Sequence, residues 1–188
     1  MDELGNSEAE LLSLAQGGNL DAFEEIVKLH ERRIFALALR LTGKSEDAQD
    51  AAQEVFVRLF RNLRQIDAGR SVGPWLYSVT VNVCRDLERV RQRSRLIPMG
   101  EKLTAFSDPA QTPEGLYADQ QREQWLRSCL QELPEKERAA LTLRELEGLS
   151  TQEVARALGS AEGTIRAQIC SARIKLRKLM AERMGGKS

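Results

Sequence analysis

Leu149-Ser150-Thr151-Gln152-Glu153-Val154-Ala155-Arg156-Ala157-Leu158-Gly159-Ser160-Ala161-Glu162-Gly163-Thr164-Ile165-Arg166 holds two helix starts and one helix stop in a single short stretch. Ser150 followed three residues later by Glu153 is a capping box. The hydroxyl accepts the N–H three residues on, and the carboxylate reaches back to the cap's own N–H. The box opens a short helix, Thr151–Leu158, and Gly159 ends it, because glycine enters the left-handed region without a Cβ penalty. Ser160 is expected to cap a final helix that buries Ile165, Ile169, Ala172, Leu176 and Leu179. Two helices across the turn Gly159–Ala161 make a helix-turn-helix, in which the first braces the second and the second offers its N-terminal side chains to a major groove. Thr164, Arg166, Ala167 and Gln168 lie near that N-terminus. Arg166 could hold guanine or phosphate, and Gln168 could pair with adenine. An ordinary helical hairpin is the plainer alternative.

Upstream, Leu133-Pro134 restarts the chain, and Leu141 and Leu146 are expected to face inward until Gly148. Thr112 is read as the cap that opens this second helical domain, residues 113–182. Before it, Pro98, Gly100, Pro109 and Pro113 break any long period, so residues 94–112 read as a linker that could span about 65 Å when extended. The first domain, residues 20–93, carries three helices. Phe23, Ile26, Val27, His30, Ile34, Leu37 and Leu41 recur at three- and four-residue steps up to a stop near Gly43. Ser45 is expected to cap the next helix, with Ala48, Ala52, Val55, Phe56, Leu59 and Leu63 inside. Pro74 suits the first turn of a third helix that buries Leu76, Val79, Val83, Leu87 and Val90. Residues 1–19 form an acidic extension without an assigned role. The fold class is all-α: two small helical domains joined by a flexible linker, the second containing the helix-turn-helix.

Composition sets outer bounds. The chain has 188 residues, with 28 Lys+Arg against 28 Asp+Glu and a hydrophobic share of 41%, enough for a core. No apolar run approaches the ~20 residues of a membrane-spanning helix, and the acidic start lacks the pattern of a secretory signal. Cys84, Cys129 and Cys170 are odd in number and far apart, which argues against a disulfide framework or a zinc knuckle and for a reducing cytoplasm. The neutral sum hides an uneven distribution. Residues 1–25 carry Asp2, Glu3, Glu8, Glu10, Asp21, Glu24 and Glu25 with no Lys or Arg, while residues 85–95 hold Arg85, Arg89, Arg91, Arg93 and Arg95 against Asp86 and Glu88. Residues 163–188 hold Arg166, Arg173, Lys175, Arg177, Lys178, Arg183 and Lys187 against Glu182 alone. Two basic patches separated by acidic segments suit two anionic contacts and one basic partner, although solvated helix faces would look the same.

Two more faces invite a role. Asp47, Asp50 and Glu54 fall at i, i+3 and i+7, giving an acidic face able to dock a basic helix of a partner or simply to be solvated. The third helix begins with Trp75 and Tyr77 and continues with Asn82, Arg85, Asp86 and Arg89. Aromatics beside arginines can stack unpaired bases and hold phosphates. Trp75, next to Leu76, is the better core candidate and Tyr77 the weaker. His30 sits on the apolar face of its helix with no second ligand nearby and reads as a packed histidine, and the cysteines read as small apolar residues. No phosphate-binding glycine loop, nucleophile elbow or zinc-protease signature is present, so no catalytic cluster, metal or cofactor is expected.

Taken together, the halves resemble the extracytoplasmic-function (ECF) group of bacterial sigma factors, the minimal two-domain initiation factors of RNA polymerase. Asp47-Ala48-Gln49-Asp50-Ala51-Ala52-Gln53-Glu54-Val55-Phe56 resembles the family's core-binding segment. Trp75-Leu76-Tyr77-Ser78-Val79-Thr80-Val81-Asn82-Val83-Cys84-Arg85-Asp86 resembles its promoter-melting helix. Leu133-Pro134-Glu135-Lys136-Glu137-Arg138 through Val154-Ala155, with Gly163-Thr164-Ile165-Arg166, resembles its C-terminal helix-turn-helix. The resemblance implies that Asp47, Asp50, Gln53 and Glu54 dock on the clamp helices of the large polymerase subunit, and that the second domain meets the flap region. It implies that the loop Gln65–Gly73 and the helix after it capture an extruded base and hold the separated minus-ten strand through Asp67, Arg70, Ser71, Trp75, Tyr77, Asn82, Arg85, Asp86 and Arg89. The minus-thirty-five element would be read as duplex by Ser150, Thr164, Arg166, Ala167, Gln168, Ser171, Arg173 and Lys175. The linker would thread toward the polymerase cleft and RNA exit path, and an anti-sigma protein would hold the factor inactive. Gln168 and Ser171 stand where the family often has basic residues, for which the run Arg173–Lys178 could compensate. A two-domain repressor would keep Arg166 yet have no need of the Asp47–Glu54 face.

Overall fold

The computed structural model describes residues 2–67, 69, 71–95 and 114–185. Among these, eight α-helices form and no strand does: α1 Asp2–Gln16, α2 Leu20–Thr42, α3 Ser45–Asn62, α4 Gly73–Arg95, α5 Glu114–Gln131, α6 Glu135–Leu141, α7 Thr151–Leu158 and α8 Glu162–Gly185. A 3-10 turn, Leu63–Gln65, follows α3, and a π-helical turn, Thr142–Leu146, follows α6.

The helices begin and end where local chemistry requires. Asn19 caps α2 by accepting the Ala22 N–H at 3.0 Å, and Gly43 closes it at φ 78°, its N–H donating to the Leu39 carbonyl. The α2–α3–α4 bundle then buries Ile26, Ile34, Leu37, Val55, Leu59 and Leu76 completely. α1 packs on the same core with Leu12 fully buried, so the acidic N-terminal segment is built into the first bundle. The capping box of α7 forms as expected, with the Ser150 hydroxyl accepting from the Glu153 N–H and the Glu153 carboxylate accepting from the Ser150 N–H. Gly159 ends α7 at φ 59°. Ser150→Ala should therefore cost about 1 kcal/mol of unfolding free energy in a urea titration; an unmoved midpoint would make the box energetically idle.

Five expectations are corrected. Ser45 does not cap α3: Lys44 is the cap residue, accepting the Ala48 N–H at 3.0 Å, which places Ser45 already inside the first turn. Ser160 does not cap α8 either, because its hydroxyl turns back to the Leu158 carbonyl and the helix ladder starts from the Ala161 carbonyl. Val90 and Leu146 are exposed, Val90 on the outer side of α4 and Leu146 turned out by the π-helical widening that ends the α6 run. Finally, Tyr77 is buried and Trp75 only half-buried. The reason is phase: Tyr77 shares the inward stripe of Leu76, Thr80 and Cys84, and Trp75 lies about 100° before Leu76. Thr112 and nearly all of the segment read as a linker lie outside the described residues, while α4 itself continues to Arg95.

The two halves touch through polar side chains as well as apolar ones. Arg40 of α2 reaches Glu123 of α5 at 3.1 Å and Glu147 at 3.2 Å, and Gln131 donates to the Arg40 carbonyl at 2.8 Å. Ser78 of α4 donates to the Ala157 carbonyl of α7 at 2.9 Å. Arg85 and Glu88 of α4 pair with Glu135 and Arg138 of α6.

Candidate functional site

Three surfaces collect the residues singled out above. On α3, Ala48, Ala51, Val55 and Leu59 hold the inward face, which turns Asp50 and Gln53 into solvent. The other two acids of the segment are engaged within the fold. Asp47 accepts from Arg91 of α4 at 2.9 Å, and Glu54 accepts from Arg58 at 2.8 Å. Asp50 and Gln53 thus form the outward centre of the face.

The second surface runs from the loop after the 3-10 turn along α4. The Gly69 N–H donates to Asp67 Oδ1 at 3.0 Å, a local turn that leaves both residues exposed. Ser71 is exposed and Val72 buried; Arg70 lies outside the described residues. Along α4, Trp75, Asn82, Asp86 and Arg89 fall on one stripe at helical spacing, with Asn82, Asp86 and Arg89 exposed. Arg85 belongs to the neighbouring stripe, with Ser78, and pairs with Glu135 across the contact between halves. Tyr77 lies beneath the surface, where burial raises its phenol pKa. Cys84 is buried beside it on the helix, its thiol pushed up to about 12 by desolvation, so it is an inert packing residue.

The third surface is the outer side of α7 and α8. Thr164, Arg166 and Ala167 are exposed and Gln168 half-buried near the start of α8, while Ile165 and Ile169 anchor the helix. Arg166 pairs with Glu162 one turn away at 2.8 Å, an exposed pair worth a few tenths of a kcal/mol that a phosphate could displace. An open groove of about 420 Å³ runs along this side, lined by Arg144, Arg166, Arg173 and Arg177 together with Thr151, Ile169 and Ile174. Four arginines on one groove give it the charge to attract phosphates. Ser150 serves the capping box, and Ser171 and Lys175 both turn to Glu137 of α6, at 3.1 and 2.7 Å. Arg173 pairs with Glu145. Arg144 had no signal in the sequence: the π-helical turn brings it to the groove, and no local pattern encodes that widening.

Sequence reasoning also missed Glu8. Its carboxylate accepts from Ser71 Oγ and the Val72 N–H, both at 3.1 Å, and lies 3.0 Å from His30 Nε2. The hydrogen bond to His30 is the largest cause holding the Glu8 carboxyl below its ordinary value, against the opposing effect of burial. Between the halves, burial raises the pKa of Glu147 against the pull of Arg40, and desolvation lowers that of Arg138. Among the described residues no cluster of His, Cys, Asp or Glu could hold a metal ion, and no helix is long and apolar enough to cross a membrane.

Known protein families and structures resemble this chain in sequence and in fold. Residues 26–96 match the model for sigma-70 region 2, and residues 123–176 match that for sigma-70 region 4. The chain is 35% identical over 163 residues to the ECF RNA polymerase sigma factor SigE of Mycolicibacterium smegmatis, covering 87% of this chain and 63% of that protein. It is 31% identical over 174 residues to SigM of Mycobacterium tuberculosis, covering 93% and 85%. Among solved structures, CnrH in complex with the cytosolic domain of CnrY superposes with a TM-score of 0.68 at 26% identity, covering 94% of this chain and 98% of that one. The sigma factor RpoE of Bartonella quintana, solved with the anti-sigma factor NepR, shares the fold at a TM-score of 0.67 and 22% identity, covering 84% and 96%. With both regions matched in order and a relative above 30% identity covered over most of its length, the chain belongs to the ECF sigma factors of the sigma-70 family, the initiation factors of bacterial RNA polymerase.

Proposed function

We propose that this chain binds core RNA polymerase through the outward centre of α3, directs it to particular promoters and helps open the minus-ten element. The observation that carries this reading is two separate surfaces on one chain whose residues suit nucleic acid: the Trp75–Asn82–Asp86–Arg89 stripe of α4 and the arginine-lined groove beside α8. The first mixes an aromatic ring with polar and cationic groups, which suits unpaired bases and their phosphates. The second suits duplex DNA. The factor performs no bond chemistry; it works in the cytoplasm, without a cofactor, on a polymerase that does the synthesis. Control by an anti-sigma protein is supported by the fold shared with RpoE of Bartonella quintana, which was solved in complex with the anti-sigma factor NepR.

The test separates unpairing from docking. Asn82→Ala and Arg89→Ala are exposed substitutions that leave the core intact. Each should slow open-complex formation on duplex promoters about tenfold, as measured by stopped-flow fluorescence. A premelted template should partly rescue both, because the cost of unpairing is then already met. Equal defects on the two templates would assign these residues to docking. Tight, sequence-specific DNA binding without polymerase would instead favour a free-standing repressor.

A further inference from the structure

α1 holds both ends of the loop that precedes α4. At the upstream end, Gln16 Nε2 donates to the carbonyls of Leu63 and Ile66, at 2.9 and 2.7 Å. At the downstream end, Glu8 accepts from the Val72 N–H and the Ser71 hydroxyl. Glu8 and Gln16 are two turns apart on α1, about 12 Å along its axis, with fully buried Leu12 between them on the same face. The helix is pinned at its middle and reaches the loop at two points.

The downstream contact is unusual in its chemistry. Val72 is the residue whose carbonyl accepts the first α4 hydrogen bond, from the Leu76 N–H at 3.0 Å. Its own N–H, and the Gly73 N–H after it, belong to the donors that a helix start leaves without intrahelical partners. Ser71 Oγ takes the Gly73 N–H at 3.3 Å, and Glu8, from more than sixty residues away, takes the Val72 N–H. A carboxylate there also meets the positive end of the helix dipole. His30 of α2 ties the same carboxylate to the bundle. The loop's exit into α4 is therefore set jointly by the local Ser71 hydroxyl and by a residue of α1.

We propose that α1 is a brace for the minus-ten loop, and that Glu8 and Gln16 are positioning residues for the capture of an unpaired promoter base. This rests on the reading that the loop and α4 meet the separated strand. The brace fixes where the loop leaves the 3-10 turn and where it enters α4, so the exposed turn of Asp67 and Gly69 is presented in one orientation when the strand arrives. The brace touches no DNA itself.

The experiment uses holoenzyme made with full-length chain and a fork-junction DNA built on a promoter that this holoenzyme selects from a genomic library. Glu8→Ala and Gln16→Ala should each weaken element-dependent binding of the fork junction at least fivefold, while affinity for core polymerase stays within twofold of wild type. Glu8→Gln should restore most of the loss. Its carbonyl oxygen can still accept from Val72 and His30, and its amide can donate to Ser71 Oγ, so the geometry survives without the charge. That rescue separates positioning from a general loss of fold. If Glu8→Ala proves too unstable to assemble, Gln16→Ala carries the test. Asp67→Ala, a change in the loop itself, should also weaken fork binding. If it does and both α1 variants bind like wild type, the brace is wrong and the loop's role stands. If Glu8→Gln is as defective as Glu8→Ala, a positioning hydrogen bond is likewise overturned. If Asp67→Ala and the α1 variants all bind like wild type, the assignment of the loop to DNA fails first.

Discussion

Asp50→Arg is expected to weaken binding of core RNA polymerase by about 2–5 kcal/mol, thirtyfold or more in affinity, with the unfolding midpoint unmoved. The size follows from replacing an attractive carboxylate with a like charge in a contact that loses water on docking. Stability is spared because α3 is anchored by Ala48, Ala51, Val55 and Leu59 on its other side, and Asp50 is exposed. Exposed substitutions of this kind usually lie within half a kcal/mol. Its neighbours should give smaller effects for different reasons. Asp47 is committed to Arg91, so changing it would disturb the α3–α4 packing as well. Glu54 must leave Arg58 before it can serve a partner, though a surface i,i+4 pair costs only about 0.3–0.5 kcal/mol to break. Competition binding against labelled wild-type factor would read all three. Asp50→Arg binding as tightly as wild type would reduce the acidic face to a solvated one.

What could be read from the chain and what could not divide along a physical line. The α7–turn–α8 unit was legible because its signals are local: Ser150 and Glu153 are three residues apart, and Gly159 alone dictates the stop. The inward stripe of α2 was legible for the same reason, since its period repeats over six turns. Short helix starts were less so. A serine near a start predicts a cap only if the ladder begins at the next residue, and at Ser45 and Ser160 it begins elsewhere. Trp75 and Tyr77 were weighed by size and adjacency, whereas the phase of α4 decided them. Contacts between segments left no trace at all. Arg40 finds Glu123 and Glu147 across 83 and 107 residues, and Glu8 finds Ser71 across 63. Each of these residues, met in sequence, is an ordinary charged side chain on a helix.

The largest effect concerns duplex reading by the free chain against the holoenzyme. The groove beside α8 offers four arginines, Arg144, Arg166, Arg173 and Arg177, so at most about four phosphates are neutralised there. With a slope near −0.9 per phosphate, raising salt from 50 to 200 mM should lower duplex affinity about a hundredfold. Few base contacts stand beside this. Gln168 is half-buried, Ser171 is turned to Glu137, and Arg166 is the exposed cation nearest the start of α8. The free chain should accordingly discriminate poorly between promoters at physiological salt. Anchoring the first half on polymerase changes the problem without adding a DNA contact, because the second half then meets its site at a high effective concentration. Promoter selectivity of the holoenzyme should exceed that of the free chain by two orders of magnitude or more, and Arg166→Ala should remove about 1–3 kcal/mol of it at the distal element alone. Titrating promoter and scrambled duplexes with free chain and with holoenzyme across that salt range decides the matter. Strong, salt-resistant promoter discrimination by the free chain would show that the α8 face suffices alone, and the division of labour between polymerase and DNA contacts would have to be abandoned.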